Sequence, residues 1–307
     1  MSVGLGFFCS TSRNELTTNR VLRLRNLSGE NVLRIFEKNL EDFKALLKMS
    51  CSMGLTIFRL GSNIIPLASR PEFREEWFQE IEERLRRTAP LVKEMGVRIT
   101  MHPGQYVVLN SPRSSVVESS LRELEYHFRV LDALGAGAEG VVVVHLGGVF
   151  GDKAEALKRF KRTVEDNPWL RRRLAVENDE RYYTASDALS TAEDLGIPVV
   201  FDHYHHTLNP SAFDMDRVFE TWRNTTPEFH ISSRPDKPHR FGEHGDYVKP
   251  EDFLDMLSMI GGRGPVDVIV EAKKKEHAVK RLICELEKAG VRLREPPCVA
   301  SHSTSGI

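Results

Sequence analysis

The sequence predicts an α/β protein, a single-domain (β/α)8 TIM barrel. Three observations point there. Eight short apolar runs punctuate the chain, and most lead into a helix-like segment. The 307 residues suffice for one such barrel. Six of the runs end in His, Glu or Asp, residue types that a barrel gathers on the face at the C-terminal ends of its strands. An open, doubly wound sheet would show the same alternation and is the structural alternative. Neither GxGxxG nor GxxxxGK[ST] follows the first run, so the nucleotide-binding versions of that fold have no support.

The first strand is expected over Val3 to Phe8, followed by a basic loop and a helix from about Asn31 to Met49, where Leu33, Phe36, Leu40, Phe43 and Leu47 recur at helical spacing. Leu55 to Leu60 is the second strand, and a charged helix over 74–95 stops at Gly96, a natural C-cap. Val97 to His102 is the third, with a helix near 114–134 closing at Gly135. Val141 to His145 is β-branched almost throughout, as a strand buried on both faces should be, and a helix over Lys153 to Asp166 follows. Leu174 to Glu177 is the fifth strand, with Thr184 or Ser186 as N-cap of the next helix. The last three are Ile197 to Phe201, Phe229 to Ile231 and Val266 to Glu271; a helix over Glu276 to Lys288 ends at Gly290. The barrel is expected over residues 1–292, with 293–307 a polar, disordered tail.

Composition narrows the class. The chain is 40% hydrophobic and 28% charged, ordinary for a soluble globular protein. Its net charge of −1 gives no global signature of nucleic-acid binding, so any such contact must come from local basic patches. Cys9, Cys51, Cys284 and Cys298 are scattered without a CxxC pair, which argues against a disulfide framework or a thiolate metal site and for a reducing cytoplasm. No apolar run reaches the ~18 residues that span a membrane, and Met1 to Gly4 lacks the basic start of a secretion signal, so no membrane partner is expected.

The chemistry is expected at the strand ends. His102, His145, Glu177, Asp202, His230 and Glu271 close six strands, and His205 and His244 lie just beyond the sixth and seventh. A lone histidine at such a position is most often structural, but eight at equivalent positions call for a shared cause. Mixed oxygen and nitrogen donors suit Zn²⁺ or Mn²⁺. Eight ligands exceed the needs of one ion and serve two or three with bridging carboxylates, for which Glu177 and Glu271 are the better candidates. Such centres suit in-line displacement at phosphorus, and Glu177, Asp202, Glu271 and His230 are the candidate catalytic residues. Strand alternation sets Glu228 on the same side as His230, behind it.

Met101-His102-Pro103-Gly104-Gln105-Tyr106, Val144-His145-Leu146-Gly147-Gly148, Val176-Glu177-Asn178-Asp179, Phe201 to His206 (FDHYHH), His230-Ile231-Ser232-Ser233, His244-Gly245-Asp246-Tyr247-Val248 and Val270-Glu271-Ala272-Lys273 together resemble the UV damage endonucleases, relatives of endonuclease IV and the xylose isomerase-like barrels. The resemblance covers roughly residues 3–290. It implies a monomeric repair enzyme, cytoplasmic and nucleoid-associated, that incises damaged double-stranded DNA 5′ to ultraviolet photoproducts, with Mn²⁺ as metal and Zn²⁺ or Mg²⁺ as alternatives. No protein partner is implied. The eight strand-end residues match the family's ligands, and Gln105-Tyr106 matches a pair that inserts into the duplex at the lesion.

Three positions depart from the family pattern. Phe7-Phe8 stand where a tyrosine is usual, which keeps an aromatic face for the lesion and loses the hydroxyl. Glu228 replaces a lysine, a candidate extra metal-shell residue. Arg70 falls where a histidine is expected after strand two and is a candidate phosphate contact. Arg13, Arg20, Arg23, Arg25, Arg113, Arg234, Lys237 and Arg240 lie on loops at the same face and can hold phosphates without reading sequence. Two other readings are a metal-dependent sugar isomerase or epimerase on the same barrel and a non-catalytic, lesion-binding metalloprotein.

Overall fold

A computed structural model describes residues 2–223 and 225–302. Eight parallel strands close into one barrel in sequence order. They are β1 (Val3–Phe8), β2 (Ile57–Leu60), β3 (Arg98–Met101), β4 (Val142–His145), β5 (Leu174–Glu177), β6 (Val199–Asp202), β7 (Glu228–Ile231) and β8 (Val266–Val270). Closure is made by β8 on β1, in a register that runs from Val3 opposite Val266 to Gly6 opposite Ile269. Around it lie α1 (Gly29–Ser52), α2 (Glu75–Met95), α3 (Ser114–Ala133), α4 (Lys153–Asp166), α5 (Ala185–Leu195), α6 (His203–Leu208), α7 (Met215–Thr221), α8 (Pro250–Ile260), α9 (Lys275–Lys288) and α10 (Pro297–His302). No described helix is long and apolar enough to cross a membrane.

The helices begin where local chemistry dictates. Ser28 caps α1 by accepting from the Asn31 N–H. Thr184, not Ser186, caps α5, and with Asp187 it forms a reciprocal capping box. Alternation along each strand then divides the side chains between two cores. Val3, Leu5 and Phe7 of β1 join the large core between barrel and helices, where Phe7 meets Phe58 edge-on and Phe43 packs on Phe58. The intervening Gly4 and Gly6 face β2 closely: a Cβ at Gly4 would lie 1.9 Å from Thr56 Oγ1, and one at Gly6 1.9 Å from the Ile57 carbonyl oxygen. A smaller apolar cluster of Val141, Val143, Ala175, Val200 and Trp222 fills the lumen side of β4 to β6.

Two expectations are corrected. Cys51 and Cys298 are joined, S–S 2.04 Å, across 247 residues of sequence, while Cys9 and Cys284 are free. The pairing follows from α10 docking beside α1 and α2, a long-range contact that cysteine spacing cannot reveal. The segment from 293 onward, expected as a disordered tail, is structured as far as it is described. Leu293 bridges to Val3, the Arg294 N–H donates to the Val3 carbonyl, and α10 follows. The remainder of that expectation, 303–307, lies outside the described residues.

Candidate metal centre

The same alternation raises one lumen-facing residue to the top of nearly every strand. The eight candidate ligands come together there. Three groups have ligand atoms within 4.8 Å of one another: His102, His145 and Glu177; Glu177, Asp202 and His205; and Glu177, His230 and Glu271. Glu177 is common to all three and fully buried. Its Oε2 faces His102 Nε2 at 3.0 Å and His145 Nε2 at 3.7 Å; its Oε1 faces His230 Nδ1 at 2.8 Å and His205 Nδ1 at 3.6 Å. One carboxylate thus turns each oxygen toward a different pair of imidazoles, as a bridging ligand does. His244 joins through Glu271, 3.5 Å from Oε2 to Nδ1.

Asp202, His205 and His244 are placed by neighbouring elements. Asp202 ends β6 and caps α6, its Oδ1 accepting from the His205 N–H at 2.7 Å, so one turn of helix returns His205 to the site. His203 turns away to Asp255, and His206 packs on Phe201 and Phe213. Asn178 fastens β5 to β6: its side-chain amide donates to the Asp202 carbonyl, its side-chain oxygen accepts from the Asp202 N–H, both at 2.9 Å, and its backbone carbonyl lies 3.0 Å from His205 Nδ1. The loop bearing His244 is tied across to the end of β8, Lys273 N–H to Gly245 O and Lys274 N–H to Asp246 O, both 3.0 Å.

The donor set fits divalent ions. Asp202 Oδ2 and His145 Nδ1 are buried without a hydrogen-bond partner, although such groups are almost always satisfied. Mixed imidazole and carboxylate ligands suit Mn²⁺ or Zn²⁺. Protonation reflects the crowding. Burial lowers His145 to about 4 despite Glu177. Burial also opposes a charge on His205, but Asp202 and Glu177 outweigh it and raise it to about 9. Burial and Arg59 oppose a charge on His230, yet Glu177 and Glu228 push it up to about 10. Burial raises Asp202, whereas Glu271, against its own burial, is held low chiefly by Arg59 and His230.

Arg59 is the main site residue that sequence reasoning missed. Its buried guanidinium bonds Glu271 Oε1 and reaches His230 Nε2, with Glu228 Oε1 4.0 Å away. Below it the charges alternate down the lumen. Glu228 pairs with Arg98 at 3.4 Å, Arg98 with Asp267 at 3.3 Å, and Asp267 with Arg294 at 2.5 Å. Glu228 Oε1 also lies 3.1 Å from His230 Nε2, and it belongs to none of the three ligand groups. It stands behind His230, neutralised by two arginines.

Other candidates separate. Phe7 is corrected: it is fully buried on the helix side of β1 and presents no face to the mouth. Phe8, one residue on, is half-buried with the Lys275 ammonium 4.8 Å and the Arg59 guanidinium 6.0 Å from its ring centre. Gln105 and Tyr106 are exposed in the β3–α3 loop, and the Tyr106 hydroxyl donates to Glu123 at 3.0 Å. Arg70 is exposed in the β2–α2 loop. Arg20 is folded back onto Asp42, Asn39 and the Thr17 carbonyl, while Arg13, Arg23, Arg25, Arg113, Arg234, Lys237 and Arg240 are exposed.

Comparison with known proteins agrees with this geometry. The sequence profile described as UV-endonuclease UvdE matches residues 9–295. A UV DNA damage endonuclease of Bacillus pumilus (strain SAFR-032) is 34% identical over 281 residues, covering 88% of each chain. One from Clostridium perfringens (strain 13 / Type A) is 30% identical over 92% of this chain and 71% of its own. The crystal structure of SacUVDE superposes with a TM-score of 0.84 at 32% identity, over 94% of this chain and 99% of that one. L-ribulose 3-epimerase, at 13% identity and a TM-score of 0.53 over 94% of this chain and 97% of its own, shares the barrel fold alone. By the profile match over nearly its whole length, the chain belongs to the UV-endonuclease UvdE family.

Proposed function

We propose that this endonuclease incises the DNA backbone immediately 5′ to ultraviolet photoproducts, leaving 3′-hydroxyl and 5′-phosphate ends. Cyclobutane pyrimidine dimers and 6-4 photoproducts are its substrates, and abasic sites a further class. The observation that carries the reading is the sharing of Glu177 among three ligand groups. His102, His145, Glu177, Asp202, His205, His230, His244 and Glu271 would hold two or three divalent ions, Mn²⁺ by preference. Such ions lower the pKa of water and neutralise charge on a phosphoryl group.

The chain's own residues supply the rest. Glu177 and Glu271 fix the spacing of the ligand groups, and the buried Arg59 holds Glu271 and His230 in place. Gln105-Tyr106 fills the gap left when a crosslinked step leaves the stack, which costs less where stacking is already poor. The exposed arginines and Lys237 hold phosphates on either side. A barrel mouth with long basic loops suits a polymer better than a small sugar.

The test is nicking of supercoiled plasmid, irradiated or not, with Mn²⁺ or with EDTA. Nicking that needs both damage and metal is expected. Equal nicking of both plasmids would make this a general nuclease, and no nicking with any divalent metal would overturn the reading.

A further inference from the structure

Besides Tyr106, three large aromatic side chains of the described residues stand exposed on the metal-bearing face: Phe150 at 48%, Tyr182 at 47% and Phe241 at 51%. They occupy the β4–α4, β5–α5 and β7–α8 loops, beside the exposed Tyr106 of the β3–α3 loop. Exposed rings usually scatter singly; these share one end of the barrel. Each of two is accompanied by an arginine. The Arg181 guanidinium lies 5.3 Å from the Phe241 ring centre, and that of Arg159 5.7 Å from Phe150. Phe150 holds φ at +49°, a left-handed conformation that a bulky residue rarely adopts.

Phe241 is anchored to the ligand groups. Gly242 packs so closely on Glu180 that a Cβ there would lie 2.9 Å from its Cγ, which seats Phe241 over the β5–α5 loop. Glu180 in turn lies 4.0 Å from His205 Nε2 and 3.9 Å from Arg181. The aromatic faces therefore begin beside the cluster, with Arg181 against Phe241 and Arg159 against Phe150. Aromatic faces with arginines between them bind unpaired nucleobases irrespective of sequence, because every base has a π face.

We propose that Phe150, Tyr182 and Phe241 form a stacking track for unpaired nucleotides next to the bond that is cut. The proposal rests on the reading of the chain as a DNA endonuclease. Its test is fluorescence anisotropy in EDTA, comparing a fully paired duplex with the same duplex carrying a short unpaired bubble. Wild type is expected to bind the bubble more tightly. The combined Phe150→Ala, Tyr182→Ala and Phe241→Ala variant should lose bubble affinity by about 10- to 100-fold, while paired-duplex affinity stays within about twofold. Phe241→Tyr should retain binding, since it keeps a ring. Phe241→Ala should leave the salt dependence unchanged, whereas Arg181→Ala should lower its slope by about one. Undiminished bubble binding by the combined variant, or no preference in wild type, would overturn the track alone. Wild type that binds neither DNA, and that also fails to nick irradiated plasmid with any divalent metal, would overturn the endonuclease reading with it.

Discussion

At the scale of single residues, Glu177 carries most weight. Replacing it with Ala is expected to weaken Mn²⁺ binding by more than about 100-fold, since removal of even an outer partner of a ligand costs about 10- to 100-fold; titration followed by electron paramagnetic resonance measures this, and unchanged affinity would refute the bridging role. Binding should also depend on pH. His205 and His230 lie above their ordinary 6.5, up to about 9 and about 10. Their protons stabilise the ion-free fold fully below pH ~6.5, and that contribution is lost as pH rises through these values. Ligation needs the same imidazoles without their protons. Mn²⁺ affinity should therefore rise with pH, with protons released on binding; calorimetry in buffers of different ionisation heat checks it. The ligand candidates were legible because strand ends are legible. Phe7 was misread because neighbouring strand residues face opposite sides, so only one of Phe7-Phe8 can look into the mouth. Arg59 and Asn178 were illegible, being defined by contacts with strands far away in sequence.

At the scale of elements, the long helices and all eight strands were readable, because apolar periodicity and caps mark them. Thr184→Ala removes the capping box of α5 and should cost about 1 kcal/mol in urea unfolding with incision unchanged, as the cap lies outside the ligand groups. The short α6 and α7 carry too few residues for a periodic stripe to stand out. The stretch just beyond the sixth strand, His203 to Leu208, is a helix capped by Asp202, and of its three histidines only His205 returns to the cluster. The helix α8 went unread, although Pro250 at the first turn, the acidic Glu251 and Asp252, and Gly261 behind the last turn are ordinary helix signals.

For the whole molecule, the barrel lumen has an apolar sector and an ionic one. Alternating charges from Arg294 to Glu271 connect its floor to the metal-bearing rim. Glu228 sits at the middle of this series. Glu228→Leu would take one of two carboxylate partners from each of Arg59 and Arg98, leaving them Glu271 and Asp267, and should destabilise the fold, by at most about 3–5 kcal/mol; denaturant unfolding measures it, and a neutral result would mean that the series is not a stabilising unit. Composition gave no hint of this interior, since net charge says nothing about where charges lie. The link between Cys51 and Cys298 was likewise invisible in spacing. Thiol titration of the unfolded, unreduced chain should find Cys9 and Cys284 alone.

The most direct test of the central claim uses a duplex with one defined cyclobutane dimer, incubated with the enzyme and Mn²⁺, its products resolved to single nucleotides. A single cut immediately 5′ to the dimer, absent with EDTA, with Glu177→Ala and on the undamaged duplex, is the expected result. Cutting at another position, equal cutting of undamaged DNA, or full activity in Glu177→Ala would contradict it.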